Sequence, residues 1–403
     1  MKRTLLYLTL LAISVIAATA GLIVWELNKP TPAPLVLKES SFAKLPGWNE
    51  ANIKKSLSAF QISCKTFLRQ DPERAVGSQK IPLKVKDWHP ACKEALTLSE
   101  VTETSARNFF QKWFKPVEFY TKESVQGLFT GYYVPLLHGN LTKTDEYNVP
   151  IYGLPSNLIT INLGDFSADL TPRKIVARIE NNKVLPFYDR EAINKGALKD
   201  KAPVLVWINS HIDRVFLEIQ GSGIVKLPNG ENLYLNYAGE NGAPYTSVAQ
   251  VLIDKGIMTK DNASMQRIRA YLEAHPKEIH PVLNRNKSFV FFRTLKHTSA
   301  MGAQGVALTP GYSLAVDRKW IPLGAPMWLD TTRPNKHSDK GAKLQRLMIA
   351  QDTGGAIRGV VRGDVFWGAG DRATFIAGKM KNKGRYWLLL PRHAIESLPK
   401  KLS

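Results

Sequence analysis

The stretch from Arg346 to Ile376 constrains this chain more than any other part of it. Short apolar runs, Leu347–Ala350, Ala356–Val361 and Val365–Trp367, are each interrupted by glycine: Gly354-Gly355, Gly363, then Gly368 and Gly370. Short apolar runs bounded by turn formers read as buried strands, and glycine supplies the backbone angles the turns need. Asp371 is placed to N-cap a helix starting near Arg372. The unit therefore presents Asp352, Asp364 and Asp371 at turn or strand-edge positions, with Arg358 and Arg362 between them. A turn aspartate is ordinarily solvated or capping. Three of them in one glycine- and aromatic-rich stretch mark a candidate carboxylate site.

From Phe289 onward the pattern is strand-rich, with Phe289–Phe292, Leu314–Val316, Pro326–Leu329, Leu347–Ala350 and Tyr386–Leu390 separated by short turns. Even spacing of short strands points to a small barrel. Upstream, Leu128–Pro135 reads as a strand whose Gly131 marks a close approach to its backbone. Tyr132 and Tyr133 point to opposite faces of that strand, so only one of them can line a given groove. Residues 135–286 read as a separate α+β unit. Its strands fall around Ile151, Val204–Ile208 and Val215–Ile219, its turns at Asn181-Asn182 and Asn229-Gly230, and its helices at Ser247–Lys255 and Ser264–Ala274. Before it, Ile53, Leu57, Phe60, Cys64 and Phe67 follow helical spacing.

At 403 residues the chain is long enough for about two domains with a sizeable core. The N-terminus carries Lys2-Arg3 and then an apolar stretch from Leu5 to Trp25. It is either a signal peptide cleaved after Ala18-Thr19-Ala20 or an uncleaved anchor. The stretch continues past the cleavage motif to Trp25, which favours an anchor over residues 1–28 with the body outside the cytoplasm. A proline-rich linker, 29–40, follows. Cys64 and Cys92 are the two cysteines, and they fit either a disulfide or two buried thiols. The formal charge of +21 suits an anionic partner or simply a solvated basic surface.

Several chemistries lack their motifs. There is no His-Glu-x-x-His, Cys-x-x-Cys or Gly-x-Ser-x-Gly, so neither a metal, a cofactor nor a serine nucleophile is expected. Asp352-Thr353-Gly354 matches the aspartic protease loop, but a second such loop is missing, so that reading requires a homodimer. Phe291-Phe292-Arg293 offers stacking to a base, yet no nucleic-acid module surrounds it.

Taken together, Gln351–Gly359 and Gly363–Gly370 closely resemble the lytic murein transglycosylase A (MltA) family. Phe129–Tyr133, Gln220–Gly223, Tyr237–Gly239 with Asn241-Gly242 and Pro244-Tyr245, and Ser288–Phe292 match further stretches of that family in the same order. The resemblance implies a mainly β fold with α: a double-psi β-barrel from residues 41–134 and 287–403, a smaller β-rich domain, 135–286, inserted between them, and a groove at the junction. It implies a monomeric exotransglycosylase of the periplasmic side of a bacterial envelope membrane, held there by the N-terminal segment. Its partner would be peptidoglycan glycan strands rather than nucleic acid. The reaction would cut the MurNAc–GlcNAc β-1,4 bond without water and leave 1,6-anhydro ends. The family's catalytic aspartate falls on Asp364, and two further acidic positions fall on Asp352 and Asp371. Thr130, Tyr132, Tyr133, Gln220, Gly221, Ser222, Tyr245, Gly354 and Gly355 are the expected sugar-binding positions. The rival readings are a muramidase that uses water with Asp352 as second carboxylate, and a non-catalytic peptidoglycan-binding module.

Overall fold

The computed structural model describes residues 33–399 apart from 79, 172 and 297–299, so the N-terminal apolar segment lies outside the described residues. The chain enters through strand β1 (Val36–Glu39) and continues to β2 (Phe114–Tyr120) and β3 (Gly127–Val134). Between β1 and β2 come helices α1 (Lys54–Phe67), α2 (His89–Thr97) and α3 (Glu103–Trp113). The spacing of Leu57, Phe60, Cys64 and Phe67 does make a helix, with those side chains buried. Cys64 and Cys92 form a disulfide that ties α1 to α2. Closing a loop of that length stabilises the fold by about 3–4 kcal/mol in the chain-entropy model.

Strands β4 (Leu136–Asn140), β5 (Val149–Tyr152), β6 (Ile159–Asn162), β7 (Lys174–Glu180), β8 (Lys183–Pro186), β9 (Val204–Ile208), β10 (Ser222–Lys226), β11 (Asn232–Glu240) and β12 (Val290–Leu295) follow. They build a six-stranded sheet in the order β12-β11-β10-β4-β9-β5 and a three-stranded sheet β6-β7-β8. Asn181 and Asn182 take the left-handed angles of the turn between β7 and β8. β12 hydrogen-bonds to β11 and forms the edge of the six-stranded sheet. Helices α4 (Arg190–Asn194), α5 (His211–Gln220), α6 (Val248–Asp254), α7 (Met265–Ala274) and α8 (Ile279–Leu283) belong to the same part of the chain. Ile212, Val215, Phe216, Val248, Leu252, Ile268, Leu272 and Val282 form one buried cluster that packs α5 through α8 into a layer.

The strand expected at Val215–Ile219 is instead the body of α5. Ser210 caps it by accepting from the Asp213 amide, and Gly221 ends it in the left-handed region at φ 73°. The short run Val215-Phe216-Leu217 carries no period of its own. Charge spacing settles it: Arg214 and Glu218 lie four apart on one face and are both buried, and Arg190 of α4 reaches Glu218 with both guanidinium nitrogens, at 3.1 and 2.5 Å.

The last segment holds β13 (Ser313–Val316), β14 (Pro326–Asn335), β15 (Ser338–Asp352), β16 (Arg362–Ala369), α9 (Asp371–Lys379) and β17 (Lys381–Pro391). Six strands close on themselves in the order β3-β16-β13-β15-β14-β17, because β17 also pairs with β3. The ring is uneven, its strands running from four residues in β13 to fifteen in β15. The β3–β16 and β13–β15 pairs are parallel and the others antiparallel. Phe129, Leu314, Met327, Leu347, Ile349, Val365 and Leu388 belong to its apolar core, which continues into α1–α3. The mainly β architecture with α agrees with the expectation.

Candidate active site

Register builds the site. β3 and β16 run parallel with Thr130 opposite Asp364 and Tyr132 opposite Phe366. On the other side of β16, Ala315 of β13 lies opposite Asp364. Ala315 also lies opposite Asp352 at the end of β15. Residues paired across adjacent strands project to the same face, so Asp352, Ala315, Asp364 and Thr130 form one row across four strands. Their neighbours Phe129, Leu314 and Val365 turn the other way, into the core. A Cβ at Gly363 would sit 3.0 Å from the Phe129 ring, so any side chain there would make the ring give way.

Asp352 enters the row only because the β13–β15 register shifts by one residue between Leu314 and Ala315. The residue passed over, Gln351, is fully buried. Its Nε2 donates to Ala59 O and Ser63 Oγ, at 3.0 and 2.9 Å, and its Oε1 accepts from Ser313 Oγ at 2.5 Å. A bulge of this kind re-aims the following side chain, a device common beside functional sites.

Thr130 and Asp364 of this row face a cavity of about 900 Å³ between the ring and the helical layer; Asp352 and Ala315 are not part of its wall. Thr130, Tyr132, Gly354, Gly355, Arg362 and Asp364 line it from the ring side, and Ile219, Gln220, Tyr245, Ser247 and Ser264 from the other. Asp364 is half-buried. Its Oδ1 accepts from Thr130 Oγ1 at 2.6 Å, and that oxygen accepts in turn from Arg362 Nη2 at 2.9 Å. Arg362 is fixed by donating from Nη1 to Gly363 O and Leu128 O. Burial pushes the Asp364 carboxyl up to about 6; the Thr130 hydrogen bond and the Arg362 charge oppose the rise, and Asp352 adds to it.

Asp352 is held differently. Tyr132 Oη donates to its Oδ2 at 2.7 Å, and the amides of Ala303 and Thr353 donate to its Oδ1, each at 2.9 Å. Burial raises this carboxyl too, against all three donors. Burial and the neighbouring Asp352 keep the Tyr132 phenol protonated far above neutral pH.

The other expected site residues divide. Gln220 has its Oε1 occupied by the Tyr133 amide at 2.9 Å, which leaves its Nε2 for a ligand. Tyr245 is 42% exposed at the cavity wall. Tyr133 does not line the cavity: strand alternation buries it beside Ala373 and Ala377, where its hydroxyl donates to Met265 Sδ at 3.7 Å. Gly221 is the helix terminator already described. Ser222 is buried, accepts from Asn236 Nδ2 at 2.9 Å, and lines a separate cavity of about 180 Å³. Asp371 is exposed as the first residue of α9, with Gly370 as N-cap; it is absent from the cavity wall and from the groups acting on Asp364. Gly131 is required by close approach, since a Cβ there would lie 2.6 Å from Trp367 Nε1. The link from Arg362 to Thr130 carried no signal in the sequence, because the two positions are far apart until the parallel pairing joins them.

These features match known proteins in two blocks. Residues 128–293 match the model of the MltA specific insert domain, and residues 312–390 match that of the 3D domain. The combination defines the class: an MltA-specific insert domain followed along the chain by a 3D domain. A membrane-bound lytic murein transglycosylase A homolog from Buchnera aphidicola is 34% identical over 342 residues, 84% of each chain. Membrane-bound lytic murein transglycosylase A of Escherichia coli is 35% identical over 264 residues, and the match spans 65% of that protein's length. Among solved structures, a membrane-bound lytic murein transglycosylase from Agrobacterium tumefaciens superposes with a TM-score of 0.80 at 30% identity, covering 90% of this chain and 99% of the other. The Escherichia coli protein with bound chitohexaose gives a TM-score of 0.64 at 26% identity, covering 90% of this chain and 95% of the other. The chain belongs to the membrane-bound lytic murein transglycosylase A family.

Proposed function

We propose that this chain is a lytic transglycosylase that cuts the MurNAc–GlcNAc β-1,4 bond of peptidoglycan without water, with Asp364 as its acid and base. The observation that carries the reading is a half-buried carboxyl, pushed up to about 6, on the wall of a cavity between the ring and the inserted unit. A carboxyl tuned this way holds its proton at mildly acidic pH and releases it readily. Asp364 gives that proton to the glycosidic oxygen as the C1–O bond of MurNAc breaks, and oxocarbenium character develops at C1. The C6 hydroxyl of the same sugar then attacks C1 and passes its proton to the Asp364 carboxylate. The anhydro ring closes and the acid is restored. Because the nucleophile is tethered to the reacting sugar, the substrate supplies the positioning that a second carboxylate and a water would otherwise supply.

The binding sites of Asp352 argue against the muramidase alternative. Both its oxygens already accept hydrogen bonds, which occupies them against activating a water, and Asp352 is not part of the cavity wall. We read Asp352 as a support that orients Tyr132 and the 300–303 segment, and Asp371 as an exposed helix-start residue outside the chemistry. Thr130, Tyr132, Gln220, Tyr245 and the Gly354-Gly355 turn are read as the glycan-facing surface. The chitohexaose bound to the Escherichia coli relative supports a glycan ligand in the cavity. The ring is read as the double-psi barrel of the family and residues 136–295 as its insert. We read the protein as a monomer on the periplasmic face of an envelope membrane, tethered through its N-terminal segment.

The test is to incubate the full chain and its Asp364→Asn variant with purified sacculi and weigh the soluble fragments. Anhydro-MurNAc ends from the wild type, and none from the variant, support the reading. Reducing MurNAc ends would make the protein a hydrolase, and binding to sacculi without release would make it a non-catalytic module.

A further inference from the structure

We infer that Thr130 and Arg362 are positioning residues that confine the acid proton of Asp364 to its Oδ2, the oxygen left open to the bound glycan. The inference rests on the reading of Asp364 as the general acid. A guanidinium can only donate, so the 2.9 Å contact from Arg362 Nη2 occupies a lone pair of Thr130 Oγ1. No other acceptor for the one hydrogen on that hydroxyl is found among the described residues, so it points along the 2.6 Å contact to Asp364 Oδ1, which accepts it. A proton on Oδ1 would meet that hydrogen head on. It therefore resides on Oδ2, which no hydrogen bond reaches among the described residues.

The arrangement is rigid for a backbone reason. Thr130 and Asp364 are direct partners in the β3–β16 register, so their contact comes from strand pairing rather than from two long side chains. Arg362 donates to main-chain oxygens on both strands, at Leu128 and Gly363, which stops it from swinging to Asp364 itself. The result is a carboxyl with one end clamped and one end reactive. Asp352, in the same row, has both ends occupied.

Other charged or titratable groups facing this carboxyl are Asp352 from β15, Tyr132 from β3, Lys381 of β17 opposite Thr130, and Lys260 and Asp261 across the cavity. Unlike these groups, Thr130 and Arg362 both hold the Asp364 pKa down and fix its geometry. Removing either therefore has two effects at once: a mis-set proton and a weaker acid.

The experiment compares Thr130→Val, Thr130→Ser and Arg362→Gln with wild type in the full chain, following anhydro-muropeptide release from sacculi as a function of pH. Serine keeps the hydroxyl and is expected to stay within about threefold of wild type, whereas valine loses about tenfold or more in kcat with KM within about twofold. The alkaline limb of the valine profile moves to higher pH. A valine variant with the wild-type profile, or a serine variant as impaired as valine, overturns the inference. If thermal melting shows the valine variant to be unfolded, Arg362→Gln decides alone: its alkaline limb also moves up, and an unmoved limb overturns the inference. Asp364→Asn separates the two levels. Activity in that variant removes the acid itself, while an inactive Asp364→Asn beside an unaffected Thr130→Val sinks only the proton placement.

Discussion

Asp352 and Asp364 lie in one row of the sheet, with Ala315 between them, and face opposite electrostatic situations. Asp352 ends a long strand, is aimed by a bulge, and accepts three hydrogen bonds over both oxygens. Asp364 sits within its strand and accepts one, on one oxygen. Burial raises both carboxyls. The lesson is that the number and placement of donors, rather than depth, separates a structural carboxylate from a reactive one. A carboxylate surrounded by donors is a scaffold piece, and a half-satisfied one is poised to move a proton.

The strongest test of that contrast is the same near-isosteric change at each position. Asp364→Asn is expected to lower the rate by about a thousandfold or more, in the range general acid catalysis contributes. Asp352→Asn keeps an oxygen for the Ala303 and Thr353 amides, and Tyr132 can turn its hydroxyl to accept, so its loss stays within about tenfold. Equal losses at both positions would erase the distinction. Stability gives a second reading of the contrast. The folded-state value for Asp364 is raised from 3.8 to about 6, so the stability linked to its proton is fully present below the unfolded value and lost as pH rises through about 6. Roughly two units correspond to at most about 3 kcal/mol. Asp364→Asn should therefore melt higher than wild type at neutral pH and lose most of that advantage near pH 4. Asp352→Ala should do the reverse of stabilising: it leaves the Tyr132 hydroxyl and two amides without their acceptor, a loss of about 2–4 kcal/mol by chemical denaturation. The wild-type kcat/KM should fall as pH rises above about 6, because the free enzyme must carry the Asp364 proton.

How far the sequence reveals this contrast follows from what is local. The end of β15 at Asp352 and the glycine turn after it were legible, since apolar runs and glycines act within a few residues; the apolar run Ala356–Val361, which reads as a strand, is instead a loop before β16. Legible too was the need for a small residue at Gly131, whose neighbour turned out to be Trp367. The helices capped by Ser247 and Ser264 fell where their caps predict. What stayed hidden depends on register. The row joining Asp352, Ala315, Asp364 and Thr130 is set by pairings between distant segments, and one residue of slip would turn every member to the other face. The bulge at Gln351 is such a slip, built on purpose and anchored by Ala59, Ser63 and Ser313. Tyr133 and Asp371 enter the expected site through the family resemblance. Alternation along β3 sends Tyr133 away, and the start of α9 leaves Asp371 in solvent. The strand expected over α5 is a helix whose Arg214–Glu218 spacing was open to reading in the sequence; only the Arg190 contact to Glu218 depends on a distant residue.

The smallest effect sharpens the contrast most finely. Tyr132→Phe removes one of the three donors to Asp352 and keeps the ring, which packs on Phe366 at a centroid distance of 5.2 Å. If Asp352 is a scaffold group, the loss is that of one charged hydrogen bond, about 1–2 kcal/mol, with a rate change of only a few-fold. That hydrogen bond opposes the rise of the Asp352 pKa, so its removal weakens the fold where Asp352 is ionised. The deficit should shrink as acid protonates the carboxyl, because the protonated form depends less on the donor. Chemical denaturation at neutral and at acidic pH measures this directly. A deficit that stays constant with pH would mean that the tyrosine acts through packing alone. A rate loss as large as that of Asp364→Asn would instead make Asp352 and Tyr132 part of the chemistry, and would return the second carboxylate to the mechanism.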